Sequence, residues 1–115
     1  MIGAVIIDDE DVNIKLIERL IKKEFATINI LGASSTKAGA VELINKVHPD
    51  LIFMDVSLDA SNTGFDVLEE IEPLDAKVIF VTSHDEFAIK AFDYNTIAYI
   101  VKPVIKKDLV VAVNK

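Results

Sequence analysis

The amino-acid sequence predicts an α/β fold: a doubly wound sheet of five parallel strands with helices on both faces. Three observations support this prediction. Five short apolar runs alternate along the chain with segments whose apolar residues recur at helical spacing. The runs are continuously apolar, as expected for strands that are buried on both faces. The length of 115 residues and the hydrophobic content of 51% suit one domain with a substantial core.

The first half of the chain contains three of the predicted strands and two helices. The first helix has apolar residues three or four positions apart, which form one face, and charged residues on the opposite face. Ser34, Ser35 or Thr36 can cap the second helix, and Pro49 ends it. In order, these elements are the strand Ala4–Ile7, a helix from Asp11 to about Phe25, the strand Ile28–Ala33, the second helix and the strand Leu51–Met54.

The second half continues the alternation after a polar loop over Ser57–Thr63. A short helix follows and is closed off by Pro73, and a later helix places Phe87 and Phe92 on its packing side. Asn95 is predicted to end that later helix as a left-handed C-cap. In order, the elements are a helix around Phe65–Ile71, the strand Lys77–Val81, a helix opened by Asp85 or Glu86, the strand Ala98–Val101 and a helix over Lys106–Lys115.

The chain carries a net charge of −7 and contains no cysteine. An acidic surface disfavours direct binding to nucleic acid or to anionic membranes, and a cation or a basic partner surface is the more natural complement. The absence of cysteine excludes disulfides and thiolate metal sites. No apolar run approaches the ~18 residues of a membrane span. We therefore expect a cytoplasmic protein that makes no contact with a membrane.

Polar side chains follow four of the predicted strands at the point where each strand ends. Asp8 and Asp9 follow the first strand, Asp55 the third, Thr82 the fourth and Lys102 the fifth. The carboxyl ends of parallel strands share one edge of a sheet, and ligands of open α/β sheets bind in the crevice there. An acid pair after a strand is often only the start of a helix. The convergence of five such residues instead predicts a site for phosphate and a metal.

Four motifs, IIDDE, LIFMDV, IFVTS and YIVKP, contain these residues in that order. With these motifs the chain resembles the response-regulator receiver domains of two-component systems over essentially its whole length. The resemblance implies a flavodoxin-like sheet with strand order 2-1-3-4-5. It also implies that residues 1–115 form one receiver domain, the N-terminal part of a longer regulator.

The resemblance implies that Asp55 accepts a phosphoryl group from a sensor histidine kinase. Asp8, Asp9, Asp55 and the backbone carbonyl of Ser57 would hold Mg²⁺, for which Mn²⁺ can substitute. The ion keeps several waters and takes few carboxylates, which leaves room for phosphate oxygens. Such a domain is not an enzyme in the ordinary sense, because it catalyses only its own magnesium-dependent phosphorylation and dephosphorylation.

The resemblance also implies how phosphorylation is sensed. Lys102 places a positive charge against the phosphoryl oxygens, and the Thr82 hydroxyl donates to them. Tyr99 then turns inward, although an aromatic residue at this position can equally be a half-buried packing residue. The Lys102-Pro103 step resembles the cis-proline step of the family, which aims the lysine into the site.

A finer resemblance concerns the stretch VIFVTSHDEFAIKAFDYNTIAYIVKP, which is similar to the receivers of LytTR-type transcription regulators. It implies a DNA-binding domain that follows the receiver and lies outside these residues. DNA would then be a partner only through that domain, which agrees with the acidity of the receiver. A homodimer formed on phosphorylation is a further expected partner.

The chain departs from the family pattern just after Asp55. Asp59 stands where many receivers have proline, and Gly64 comes nine residues after Asp55 instead of eight. The extra residue is either a tolerated surface insertion or a sign that Asp59 lies near the metal and changes its affinity. Ser57 and His84 flank the site and can gate water access to the acyl phosphate, although His84 can also be a solvated loop histidine.

Two other classes of protein share this fold. A flavodoxin-like redox protein needs a phosphate-binding loop after the first strand, but the Asp-Asp-Glu sequence found there repels the FMN phosphate. A receiver-like interaction module would keep the fold and lose the acid pair, the acceptor or the lysine. All of these residues are present, which disfavours the interaction module.

Overall fold

The structure is a computed structural model that describes residues 1–71 and 75–115. Five parallel strands form one sheet in the order β2-β1-β3-β4-β5, which confirms the predicted fold and strand order. The elements are β1 (Ile2–Ile7), α1 (Asp11–Glu24), β2 (Ile28–Ser34), α2 (Lys37–Val47), β3 (Leu51–Met54), α3 (Gly64–Glu70), β4 (Lys77–Thr82), α4 (Ala88–Ala91), β5 (Thr96–Val101) and α5 (Lys106–Val113).

The sheet separates two hydrophobic cores, one on each face. Side chains of α2, α3 and α4 pack on one face, and side chains of α1 and α5 pack on the other. Within β1, Val5 and Ile7 point into the first core, whereas Ala4 and Ile6 point into the second. Successive residues of a strand face opposite sides, so a strand between two cores is apolar at every position.

Helix α2 shows which residues delimit a helix in this chain. The Thr36 hydroxyl accepts a hydrogen bond from the Gly39 backbone N–H at 3.1 Å, so Thr36 is the N-cap among the three candidates. His48 ends the helix with a left-handed φ of 47° and is exposed, and Pro49 follows. A proline at that point prevents continuation of the helix.

The predicted left-handed cap at Asn95 is wrong. Helix α4 is a single turn that ends at Ala91, and its C-cap has right-handed helical angles. The Asn95 backbone carbonyl instead accepts a hydrogen bond from the Val78 N–H at 2.8 Å, and its side chain donates to the Ala76 carbonyl at 3.0 Å. Asn95 therefore belongs to the entry of β5, where pairing with β4 requires extended backbone.

The two phenylalanines of this region have different environments. Phe87 packs edge-on against the ring of Phe65 at a centroid distance of 6.1 Å, as predicted. Phe92 is 65% exposed, which corrects the prediction that it packs on the core side. A helix of one turn presents too narrow a face to cover both rings. Pro73, the predicted end of the short third helix, lies outside the described residues.

Among the described residues, no helix has both the length and the hydropathy that a membrane crossing requires.

Candidate functional site

Four carboxylates meet at the carboxyl edge of the sheet. Asp8, Asp9 and Glu10 follow β1, and Asp55 follows the neighbouring strand β3. One ligand oxygen from each of these residues lies within 4.8 Å of the others. Asp8 and Asp55 are buried, whereas Asp9 and Glu10 are exposed. The acid pair and Asp55, which are separated along the chain, are thus brought together as predicted.

Lys102 enters this acid cluster from the end of β5. Its Nζ lies 2.8 Å from Asp55 Oδ2 and 3.0 Å from Asp8 Oδ2. Glu10 Oε1 is a third partner at 3.0 Å. Burial lowers the pKa of Lys102, but the hydrogen bonds to Asp55, Glu10 and Asp8 outweigh it and raise the pKa above its usual value. The Lys102-Pro103 peptide bond is cis, as predicted.

The acid cluster fits a divalent cation of the magnesium type. Burial raises the pKa of Asp8 to about 6, because a carboxylate is costly to desolvate. Partial desolvation, and then the nearby charge of Asp55, also raise the pKa of the exposed Asp9. The Asp8 Oδ2 atom is buried and accepts no hydrogen bond from the described residues, although Lys102 Nζ lies nearby. Carboxylate oxygens are among the ligands that Mg²⁺ prefers.

The loop after β3 surrounds Asp55 closely. The Ser57 backbone N–H donates to Asp55 Oδ1 at 3.2 Å, which orients the carboxylate. Thr63 and Asp66 form a capping box that starts α3. A Cβ added to Gly64 would lie 2.3 Å from the Asp55 carbonyl oxygen. The glycine is therefore required by the close approach of the loop to the backbone of Asp55.

Thr82 is the last residue of β4 and its carbonyl accepts a hydrogen bond from the Lys102 N–H at 2.8 Å, whereas Tyr99 lies within β5. The Thr82 side chain is fully buried, and its hydroxyl accepts a hydrogen bond from the His84 N–H at 3.4 Å. The Tyr99 hydroxyl donates to the His84 carbonyl, and its ring stacks on Phe80 at a centroid distance of 5.9 Å. Burial raises the pKa of Tyr99. Tyr99 is thus tied to the loop that follows β4.

The two residues predicted to flank the site contact each other. His84 Nε2 lies 3.0 Å from Ser57 Oγ, and His84 Nδ1 lies 3.2 Å from Glu86 Oε1. The imidazole is therefore fixed on both nitrogens and bridges the loops that follow β3 and β4. Its side chain is 41% exposed, so solvent also reaches the ring.

The family model of the response regulator receiver domain matches residues 4–114 of this chain. The chain belongs to the response-regulator receiver family. Among its relatives, an uncharacterized response regulatory protein of Shewanella oneidensis is 34% identical over 105 residues, which cover 90% of this chain and 44% of that protein. The positive alginate biosynthesis regulatory protein of Pseudomonas aeruginosa is 32% identical over 116 residues, which cover 98% of this chain and 46% of that protein.

The receiver therefore spans about half the length of the curated relatives that it matches. A solved structure of similar fold is that of a LuxR-family DNA-binding response regulator from Staphylococcus aureus. That structure superimposes with a TM-score of 0.85 at 27% sequence identity, and the match covers 99% of this chain and 97% of that chain. The LytTR-type output stays a prediction.

Sequence reasoning missed the part that Glu10 plays in this receiver. The IIDDE motif already placed Glu10 directly after the acid pair. An exposed acid at the start of a helix is common for its favourable interaction with the helix dipole, so the pattern gave no reason to single it out. Only the structure shows that Glu10 accepts a hydrogen bond from Lys102, which is 92 residues away along the chain.

The raised pKa of Asp8 predicts that Mg²⁺ binding depends on pH. In the folded protein without metal, Asp8 is protonated below about pH 6 and not only below its ordinary value of 3.8. The ion must displace this proton, so we expect affinity for Mg²⁺ to fall by about tenfold between pH 7 and pH 5. Isothermal titration calorimetry at both pH values measures this change. Equal affinities would contradict it, because carboxyl groups with ordinary pKa values stay ionised over this range.

Proposed function

We propose that this receiver accepts a phosphoryl group on Asp55 from a sensor histidine kinase. The observation that supports the proposal is the position of Asp55: its buried carboxylate lies in the acid cluster and 2.8 Å from Lys102 Nζ. A carboxylate oxygen is a suitable nucleophile for phosphorus. Its attack forms the acyl phosphate and breaks the bond between phosphorus and the kinase imidazole, which leaves with the bonding electrons.

Asp8, Asp9, Asp55 and the Ser57 carbonyl would hold the Mg²⁺ or Mn²⁺ ion. When bound, the ion supplies positive charge that allows a phosphoryl group to approach several carboxylates. Asp8 and Asp55 are held in place by their hydrogen bonds to backbone N–H groups, at 2.8 Å from Glu10 and 3.2 Å from Ser57. This preorganisation suits phosphoryl transfer, in which catalysis is mostly positioning and charge neutralisation.

Lys102 and Thr82 would respond to the new phosphoryl group. The Lys102 ammonium already contacts Asp55 and can follow the added negative charge. The Thr82 side chain can turn so that its hydroxyl donates to a phosphoryl oxygen, and this movement of Oγ1 would weaken the hydrogen bond that it accepts from the His84 N–H. Because the Tyr99 hydroxyl is bound to the His84 carbonyl, a shift of this loop biases Tyr99 as well. The result is a population shift between two states of one surface.

The output of this switch would be control of transcription. We propose that residues 1–115 are the N-terminal receiver of a longer cytoplasmic regulator with a LytTR-type DNA-binding domain. The chain matches about half the length of relatives that are named as regulatory proteins, which supports this arrangement. The net charge of −7 agrees with DNA contact through a separate domain. Phosphorylation would also promote a homodimer.

Incubation with acetyl phosphate and Mg²⁺ tests the central proposal. We expect intact-mass spectrometry to show a gain of one phosphoryl group that depends on Mg²⁺ and is prevented when EDTA is added before the reaction. No gain in mass would favour a pure interaction module. Absorbance of a bound flavin would favour a redox protein.

His84 is expected to modulate the lifetime of the acyl phosphate. Its Nε2 lies 3.0 Å from Oγ of Ser57, the residue whose backbone N–H donates to Asp55. We expect His84→Ala to admit water and shorten the phosphoryl half-life, as measured by the decay of the phosphorylated mass. His48→Asn is a matched control, since it removes an exposed histidine at a left-handed position that asparagine tolerates. A half-life equal to that of the wild type would rule out the gating role.

A further inference from the structure

The loop that follows Asp55 is closed upon itself. Ser57 and Thr63 form an antiparallel bridge, and the Leu58 N–H donates to the Asn62 carbonyl at 3.2 Å. The Gly64 N–H then donates to the Val56 carbonyl at 2.7 Å. Residues 57–63, which we call the acceptor loop, therefore form a compact unit whose base adjoins Asp55.

Asp59 connects the far end of the acceptor loop to helix α2. Its Oδ2 atom accepts a hydrogen bond from the Lys37 backbone N–H at 3.1 Å, and its Oδ1 atom accepts one from Asn62 Nδ2 at 2.6 Å. The hydrogen bond from the Lys37 backbone, with that from Asn62, lowers the pKa of Asp59. Both carboxylate oxygens are thus engaged, Oδ1 within the acceptor loop and Oδ2 by a residue 22 positions away along the chain.

Helix α2 is a firm anchor for this contact. Lys37 is its first residue, and Ala40 and Ile44 are buried in the core beneath it. The first turn of α2 has no acidic residue of its own, although a negative charge there is favourable. Asp59 supplies that charge from another segment of the chain.

We propose that Asp59 is a positioning residue that holds the acceptor loop against α2 and thereby sets the affinity of the site for Mg²⁺. This inference rests on the proposed function, in which the Ser57 carbonyl at the base of the loop is a metal ligand. It differs from direct action on the ion: the acid cluster found among the described residues consists of Asp8, Asp9, Glu10 and Asp55. Asp59, which stands where many receivers have proline, would act on the metal site through the acceptor loop.

The backbone donor can be removed without loss of the helix. Proline has no N–H and is favoured at the first position of a helix. Thr36, the residue before it, already has the extended angles that a following proline requires, with φ −130° and ψ 160°. Lys37→Pro therefore deletes the hydrogen bond to Asp59. Lys37→Ala is the matched control, because it keeps the N–H and removes only the side chain with its 3.8 Å ion pair to Glu70.

The test is calorimetric titration of Mg²⁺ into the wild type, Lys37→Pro, Lys37→Ala, Asp59→Ala and the double variant Lys37→Pro/Asp59→Ala. We expect Lys37→Pro and Asp59→Ala each to weaken Mg²⁺ binding by about tenfold, the low end of the losses seen when partners that orient metal ligands are removed. Lys37→Ala should bind like the wild type. The double variant should bind no more weakly than Asp59→Ala, because the Lys37 substitution removes a hydrogen bond that Asp59→Ala has already removed.

Urea unfolding of each variant without metal separates positioning from a purely structural role. Variants that lose stability but bind Mg²⁺ like the wild type would overturn the inference, as would Lys37→Ala weakening binding as much as Lys37→Pro. A wild type that binds no Mg²⁺ would instead remove the proposed function on which the inference rests.

Discussion

Replacement of Asp55 by asparagine is expected to abolish phosphorylation by acetyl phosphate at every Mg²⁺ concentration. The amide is nearly the same size as the carboxylate, so the fold should tolerate it. Its oxygen is a poor nucleophile, however, and the ionic contact of 2.8 Å with Lys102 Nζ is lost. Intact-mass spectrometry should therefore show no phosphorylated species in the variant.

Two further variants make this result specific. Asp9→Asn keeps the acceptor and removes an exposed ligand, so phosphorylation should persist but require a higher Mg²⁺ concentration. Asp11→Asn removes a carboxylate on α1 that is 79% exposed and should behave like the wild type. Phosphorylation of Asp55→Asn at the wild-type level would refute the assignment of the acceptor.

The second large effect is expected for Gly64→Ala. The added Cβ would lie 2.3 Å from the Asp55 carbonyl oxygen and 2.7 Å from Met54 Cγ. The backbone of Asp55 has little freedom to yield, because its N–H donates to the Ile7 carbonyl at 2.8 Å and β3 is buried between two cores. We expect the free energy of unfolding to fall by about 1–3 kcal/mol, and phosphorylation to slow because Asp55 is displaced.

Gly3→Ala is the matched control for this prediction. A Cβ there would lie 2.7 Å from Leu31 Cδ1, which is the end of a side chain that is 39% exposed and able to rotate. Neither glycine has a positive φ, so the comparison isolates the steric effect from backbone strain. Urea unfolding followed by far-ultraviolet circular dichroism suits a chain without tryptophan. Equal stabilities of the two variants would contradict the steric explanation.

Much of the fold was predictable because strands that are buried on both faces are apolar at every position. The continuous apolar runs identified all five strands, although β1 and β5 begin two residues earlier than predicted. Strand ends at one edge of a parallel sheet converge whatever the details of packing. For that reason the approach of Asp8, Asp9, Asp55 and Lys102 could also be predicted.

Local errors arose where tertiary contacts outweighed local preference. Asn95 favours a left-handed cap, but its backbone is needed to pair with Val78 in β4. Phe92 has an apolar side chain, but α4 is too short to bury it. In both cases the neighbouring strand and the length of the helix decided the outcome.

The amino-acid sequence is thus sufficient to predict the parallel sheet and the residues that gather at its edge, and the motifs add the strand order through the family that they resemble. Only the tertiary structure shows that Asp59 accepts a hydrogen bond from the first residue of α2, that His84 bridges Ser57 and Glu86, and that Glu10 shares Lys102 with Asp8 and Asp55. The physical reason is that periodicity reports which face of an element is buried. The hydrogen-bond partner of an exposed polar side chain depends on how separate segments are brought together, and no local pattern encodes that distance.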